Sequence, residues 1–275
     1  MDILSFNPVL GKELLASARR SRSRRTTNIA ILVAAACAYW FVLRGALNSG
    51  SQDVWQVTAA LQFALVTLVA PALAARAITQ EREQQTWELL LFTPIPALQI
   101  VLGKLSVSCI ALARMLAVTL PLVILAFLLH LYAGTEVLSA GTELREFFWS
   151  IAATAITASL FLTVGMAISS YSKRSSHSLA LSYSFSIGVL VVCTYVEAVL
   201  ALVVYRDARH PILEPFEANP VIWLNPWYLY YVGVSSRISP LEWMALLCGA
   251  FAYITAAVMF TWASVRSILR ARGAV

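Results

Sequence analysis

Six long apolar stretches without an acidic or basic side chain dominate the sequence. At about 1.5 Å rise per residue, a helix over even the shortest of them, 18 residues, would be about 27 Å long, close to the roughly 30 Å hydrocarbon core of a bilayer. Together they contain 132 of the 275 residues, so little chain remains for a domain outside the membrane. The stretches cover residues 26–43, 54–75, 115–135, 147–172, 175–196 and 243–265.

These stretches predict an all-α, polytopic membrane protein. Lipid offers no partner for backbone N–H and C=O groups, and the alternating pattern of barrel strands is missing, so each stretch has to cross as a helix. Only 12% of the residues are charged, about half the usual share in a soluble domain. We predict one transmembrane domain over 1–275, with six spans at 26–47, 54–78, 98–132, 147–172, 175–205 and 241–266.

Basic residues are distributed unevenly between the two sides of this predicted bundle. Six spans place both termini on one side, and the segments on that side carry fourteen Lys and Arg residues, against five on the other. Because cytoplasmic loops are enriched in basic residues, we predict that both termini are cytoplasmic. We also expect the chain to lie in the inner membrane of a bacterial cell. The net charge of +6 follows from this topology and requires no nucleic acid partner.

The first 25 residues predict an amphipathic helix along the cytoplasmic membrane surface. Apolar residues recur there at helical spacing, and the basic residues between them suit anionic membrane lipids. Lys12 and Glu13 lie on this predicted helix. A frayed basic tail is the alternative interpretation.

The stretch 80–96 connects the second and third predicted spans. It is charged and helix-favouring at first and then apolar, and Pro94 and Pro96 end it, which predicts a short cytoplasmic helix. Glu81 and Glu88 are seven residues apart and would share a charged face, beside an apolar one. Such a helix suits docking into a groove on a partner protein, although a solvated loop can have the same composition.

Several motifs resemble the ABC-2 class of ABC transporter permeases. The loop motif is the most specific part of the resemblance, although Gln85 and Trp87 stand where glycine and leucine are common in that family. The resemblance extends over nearly the whole chain. It rests on Glu81-Arg82-Glu83, Thr86, Glu88-Leu89-Leu90, Thr93-Pro94, residues 100–104, Asn7-Pro8-Val9-Leu10, Lys12-Glu13-Leu14 and Leu224-Asn225-Pro226-Trp227.

This resemblance implies a permease half that pairs with a second copy or with a homologous permease and docks cytoplasmic ABC ATPase subunits. The loop would then be the coupling helix, seated in a groove of the ATPase subunit, with a mechanical and not a chemical role. The resemblance assigns the ATPase-subunit interface to Lys12, Glu13, Glu81, Arg82, Glu83, Thr86, Trp87, Glu88, Leu89 and Leu90.

ATP chemistry is not expected in this chain. A phosphate-binding loop requires G-x-x-x-x-G-K-[ST], and neither Gly11-Lys12 nor Gly103-Lys104 has the first glycine or the final hydroxyl residue. We therefore predict that the chain is not an enzyme and binds no cofactor, with ATP and Mg²⁺ on a partner subunit. The scattered histidines predict no metal or catalytic site.

Residues 206–240 form a segment on the predicted outer side that is rich in proline and aromatic residues. Its five prolines break regular helix, and its aromatic side chains favour the headgroup region. The resemblance implies a re-entrant element that closes the outer end of the path, and an aromatic anchor belt is the alternative. Candidate path or gate residues are Ser182, Ser186, Thr194, Asn225 and Pro226, although Ser and Thr also mediate helix packing in membranes.

Two other functions are compatible with parts of the sequence. A stand-alone secondary transporter predicts inverted repeats and buried charges near the membrane centre, and neither is visible. A membrane scaffold without transport activity could carry the same docking loop. Analogy with the family favours an exporter of a hydrophobic, lipid-linked or peptide-like compound, but fold and loop motif are shared across many cargoes.

Overall fold

The computed structural model describes residues 54–133, 140–206, 225–233 and 240–273, together with positions 11, 40 and 44. In these ranges the regular secondary structure is entirely α-helical, as predicted. The helices there are α1 (Val54–Ala75), α2 (Thr79–Glu83), α3 (Trp87–Leu91), α4 (Ala97–Ala133), α5 (Ala140–Tyr171), α6 (Ser175–Arg206), α7 (Pro226–Gly233) and α8 (Pro240–Gly273).

Five of these helices, α1, α4, α5, α6 and α8, are long and apolar enough to span a membrane. The chain is therefore a multi-pass membrane protein. The predicted amphipathic helix at 1–25 and the first predicted span at 26–47 lie almost entirely outside the described residues, as does most of the outer segment at 206–240.

Two membrane-length helices extend well beyond the spans that the sequence predicts. Helix α5 begins at Ala140 and not at residue 147, and α8 continues to Gly273 and not only to residue 266. The additional turns carry charged side chains such as Glu143 and Arg270. An uncharged stretch marks only the part of a helix that lies in hydrocarbon, whereas the helix itself continues into the polar layer.

Helix α5 occupies the centre of the described bundle. It packs most extensively on α1 and α8 and also contacts α4, α6 and α7. Gly165 allows the closest approach to α1, since a Cβ atom at this position would lie 2.7 Å from the carbonyl oxygen of Pro71. Small residues at a helix crossing let two backbones approach in this way, which is how membrane helices gain packing energy.

The bundle has two ends, which differ in their contents. We call the end that carries α2 and α3, where α1 and α5 finish and α6 begins, the loop face, and the opposite end the distal end. One buried apolar cluster, with Val66, Ile100 and Phe161 among its members, lies towards the loop face. A second cluster, which includes Phe63 and Phe127, lies towards the distal end.

Helix α7 closes onto the distal cluster. Asn225 Oδ1 accepts a hydrogen bond of 3.0 Å from the N–H of Trp227, so Asn225 caps this helix and Pro226 occupies its first position. Trp149 donates to the carbonyl oxygen of Leu229 over 2.9 Å, which fixes α7 against α5. In this structure the Asn-Pro pair begins a packed helix, and that local role is sufficient to explain both residue types.

Candidate functional site

The segment between α1 and α4 forms two short helices and not the single helix that the sequence predicts. Gln85 separates α2 from α3 and has a φ of 57°, in the left-handed region. The N–H of Gln85 donates to the carbonyl oxygen of Arg82, and the N–H of Thr86 donates to that of Glu81. These two bonds make a Schellman turn, which ends α2 at once. Glu81 and Glu88 consequently lie on different helices and do not share a face.

The left-handed backbone explains why glycine suits position 85. We expect Gln85→Gly to stabilise the turn by about 0.5–1 kcal/mol. A non-glycine residue in the left-handed region costs roughly 1–2 kcal/mol, and the larger loss of conformational entropy by glycine on folding cancels part of this gain. Hydrogen exchange at the amides of residues 85 and 86 measures the change as slower local opening. Gln84→Gly is the control, since Gln84 has a φ of −84° and should gain nothing. Equal protection by both substitutions would contradict the role of the left-handed turn.

Glu81 faces the bundle and pairs with α4. Its Oε1 atom lies 2.8 Å from Nζ of Lys104, whose side chain is only 2% exposed. The same ammonium group donates over 2.8 Å to the carbonyl oxygen of Ala77, in the turn between α1 and α2. A buried lysine thus fixes both the start of the loop and the first residue of the Glu-Arg-Glu motif.

Arg82 binds the end of α5. Its Nη1 and Nη2 atoms donate to the carbonyl oxygens of Ser172 and Ser170 over 2.7 and 2.6 Å. The last carbonyl groups of a helix have no hydrogen-bond donor within it and carry partial negative charge. A guanidinium group supplies both the donors and a positive charge. The same group lies 5.0 Å from the ring centroid of Trp87, a cation–π contact that fixes α3 relative to α2.

Glu83 binds the start of α6. Its carboxylate accepts hydrogen bonds of 2.6 and 2.8 Å from the N–H and the hydroxyl group of Ser175. The first N–H groups of a helix are free to donate, and the helix dipole favours an anion there. These bonds, aided by the charges of Arg76 and Arg174, hold the pKa of the Glu83 carboxyl below its usual range.

Each charged residue of the Glu-Arg-Glu motif is therefore bonded to a different membrane helix. Serine hydroxyl groups complete this network at the loop face. The hydroxyl group of Ser169 on α5 accepts hydrogen bonds from the N–H groups of Ile78 and Thr79, and that of Ser178 on α6 donates to the carbonyl oxygen of Ala75. Arg272 on α8 ties down the end of the loop by donating to the carbonyl oxygen of Ile95 over 2.6 Å. The loop is fastened to α4, α5, α6 and α8.

The opposite side of the loop is open. Leu89 and Phe92 are each 70% exposed, and Glu88 is exposed beside them, whereas Leu91 is buried. We call Glu88, Leu89 and Phe92 the α3 surface. Phe92 is not among the residues of the predicted interface, although its position three residues after Leu89 places both side chains on one side of a helix.

The remaining residues of the predicted interface divide between these two sides. Thr86 is exposed and its hydroxyl group donates to the carbonyl oxygen of Glu81 over 3.3 Å, while Trp87 and Leu90 pack partly buried against the loop-face cluster. Lys12 and Glu13 lie outside the described residues. The structure thus brings together most of the predicted residues, but it turns Glu81 and Arg82 towards the membrane helices.

Ser182 and Ser186, two of the predicted path residues on α6, are buried. Ser182 and Ser186 are 0% and 3% exposed, and with Ser178 they form a line of small side chains at four-residue spacing on the side that meets α1. The Ser186 hydroxyl group donates to the carbonyl oxygen of Ser182 over 2.9 Å. Buried small residues of this kind allow close helix packing. Thr194 lies further along α6.

Metal-ligating side chains are dispersed in the part of the chain that the structure describes. No three His, Cys, Asp or Glu residues come together there in a group that could hold a metal ion. His130 and Glu143 form a pair at the distal end, with Nε2 and Oε2 atoms 3.8 Å apart. His177 is exposed at the loop face.

A model of a known protein family matches the part of the chain that includes the loop motif. The sequence model described as ABC-2 family transporter protein matches residues 18–191, more than half of the chain, and this match contains α1 to α5 and about half of α6. No individual curated protein is matched by the chain. An all-helical multi-pass bundle and the family match agree with each other, and the chain belongs to the ABC-2 family of transporter proteins.

Proposed function

We propose that the chain is the permease subunit of an ABC exporter and that separate cytoplasmic ABC ATPase subunits drive it through the loop of residues 79–96. The observation that carries this proposal is the division of that loop into two sides. Its inner side is bonded to four membrane helices through Glu81, Arg82, Glu83 and Arg272, and its outer side is the α3 surface.

The α3 surface has the chemistry of a docking element. A short helix that presents exposed apolar side chains beside a carboxylate suits an apolar groove with a basic rim. A soluble loop of no further role would bury Leu89 and Phe92 or replace them by polar residues, because contiguous exposed apolar surface outside lipid favours association. In this proposal the loop face is cytoplasmic, both termini are on the same side, and the bilayer is the bacterial inner membrane.

Coupling in this proposal is mechanical. ATP and Mg²⁺ bind to the ATPase subunits, and ATP can shift the conformational equilibrium only by binding one conformation of those subunits more tightly than the other. Two permease chains, identical or homologous, enclose the path, and movement of the ATPase subunits shifts the loop. Because the loop is fastened to the ends of α4, α5, α6 and α8, these helices move with it and open the path outward.

Purification of the tagged chain from its native membrane in mild detergent tests the proposal. We expect a P-loop ATPase to co-purify, and Leu89→Arg to reduce its recovery at least about tenfold, because a charge in the centre of an apolar contact removes about 2 kcal/mol or more. Gln80→Arg is the matched control. It also adds one arginine at an exposed loop position, but on α2 and not on the α3 surface, so recovery should be unchanged.

Other outcomes favour other functions. Pumping by the purified chain without any nucleotidase would indicate a secondary transporter. An ATPase that co-purifies, but whose turnover is identical with wild-type chain and with Leu89→Arg, would indicate a scaffold. Equal recovery of the ATPase with both arginine variants would disprove docking at the α3 surface.

A further inference from the structure

A large cleft opens between α5, α6 and α8 at the loop face. Its volume is about 930 Å³, which is sufficient for a substantial part of an amphiphilic molecule. The inner part of the cleft is apolar and is lined by Ala167, Ile168, Leu181, Phe260 and Ala263. None of these residues belongs to the α3 surface or to the bonds of the Glu-Arg-Glu motif.

The rim of the cleft is basic. Lys173, Arg174 and His177 line it where α5 ends and α6 begins, and all three are exposed. Tyr171 also lines the cleft, and its hydroxyl group donates to the carbonyl oxygen of Ala263 on α8 over 3.3 Å. None of the described residues that line the cleft is acidic. The nearby Glu83 carboxylate is bonded to Ser175 and also interacts with the charge of Arg174.

This combination selects one class of ligand. An apolar interior with cationic groups at one edge suits a molecule that has a hydrocarbon chain and an anionic head. The basic rim of the cleft lies where α5 ends and α6 begins, directly next to the uncharged parts of two membrane-length helices. Basic side chains at such helix ends suit the headgroup layer of a bilayer. A neutral lipid would make no use of the charges of the basic rim, and a small soluble anion would leave the apolar interior empty.

We propose that this cleft is a binding site for an anionic phospholipid, with an acyl chain against Ile168, Leu181 and Phe260 and the phosphate at Lys173 and Arg174. The site is separate from the α3 surface, and binding requires neither ATP nor a partner subunit. Its test therefore has an outcome that is independent of the proposed coupling to an ATPase.

Native mass spectrometry of the full chain in detergent, with added phosphatidylglycerol or phosphatidylcholine, tests this site. We expect the wild-type chain to retain phosphatidylglycerol in preference to phosphatidylcholine. Lys173→Gln with Arg174→Gln should weaken retention of phosphatidylglycerol about fivefold for each charge removed, since each basic residue at an anionic headgroup contributes about 1 kcal/mol. Arg266→Gln with Arg270→Gln is the matched control, because both are exposed and basic and lie on α8 outside the cleft lining.

A second variant tests the apolar part of the site. Ala263→Trp places an indole ring in the cleft, so it should reduce retention of both phospholipids without any change of charge. Competition with sn-glycerol 3-phosphate, which has the phosphate but no acyl chain, distinguishes a lipid from a soluble anion. Displacement by this compound, equal retention of the two phospholipids by the wild-type chain, or unchanged phosphatidylglycerol retention in Ala263→Trp or in the double glutamine variant would each overturn the proposal.

Discussion

Gly165→Ala is expected to lower the free energy of unfolding by about 2–3 kcal/mol, the upper part of the range for an overfilled core. The new Cβ atom would lie 2.7 Å from the carbonyl oxygen of Pro71 and 3.2 Å from both the Cβ atom of Ala74 and the backbone nitrogen of Ala75. Two of these three atoms are backbone atoms of α1, so no side-chain rotation can relieve the clash. The helices α1 and α5 have to separate, and the buried residues on either side of the crossing lose contact.

Gly188→Ala is the matched control for this prediction. A Cβ atom at Gly188 on α6 would meet nothing within 4 Å, so alanine should be neutral or stabilise the helix by up to about 1 kcal/mol. Unfolding titrations of both variants in mixed micelles of dodecyl maltoside and sodium dodecyl sulfate, followed by tryptophan fluorescence, give the two free energies. Equal stability of the two alanine variants would show that α1 and α5 do not approach each other closely at Gly165.

Lys104→Met is expected to destabilise the chain by about 3–5 kcal/mol, because removal of one partner from a buried ion pair leaves the other charge without compensation. Glu81 is 15% exposed, and its Oε2 atom is already buried without a hydrogen-bond partner, so the loss of Lys104 leaves the carboxylate poorly solvated. The carbonyl oxygen of Ala77 loses its donor as well. The same unfolding titration measures the effect, and Arg270→Met, at an exposed position, should change stability by less than about 0.5 kcal/mol.

The pair also predicts a partial rescue. Lys104→Met combined with Glu81→Gln should recover about half or more of the lost stability, since an uncharged amide is much less costly to bury than an isolated carboxylate. A double variant that is no more stable than Lys104→Met alone would contradict the assignment of the loss to the Glu81 charge. It would indicate that the bond between Lys104 and Ala77 carries most of the effect.

The membrane-length helices could be predicted from the sequence because lipid imposes a simple rule. A stretch of hydrocarbon-compatible residues of the right length has to be a helix, and the uncharged stretches at 54–75 and 175–196 lie inside α1 and α6. Helix ends follow no such rule. The additional turns of α5 before residue 147 carry Glu143 and other charged side chains, so the rule for hydrocarbon-compatible stretches does not extend to them, and the start of such a helix depends on capping.

The composition of the loop could be predicted, but the direction of its side chains could not. Arg82 is satisfied by carbonyl groups of Ser170 and Ser172, about 90 residues further along the chain, and no local pattern encodes that contact. The division into α2 and α3 depends on one left-handed residue, Gln85, where a non-glycine side chain gives no signal of a turn. Phe92 lies between the residues of the family motif and not among them, so the resemblance does not assign it to the interface.

The three adjacent bonds of Glu81, Arg82 and Glu83 also constrain how this part of the molecule can move. Because α2 is bonded at three adjacent residues to α4, α5 and α6, it cannot rotate while those helices stay in place. Any tilt of α2 therefore changes the angles between these three helices. Movement of α3 relative to α2 is restricted by the left-handed backbone at Gln85 and by the contact between Arg82 and Trp87, so a displacement of α3 is passed on to α2 and from there to the bundle.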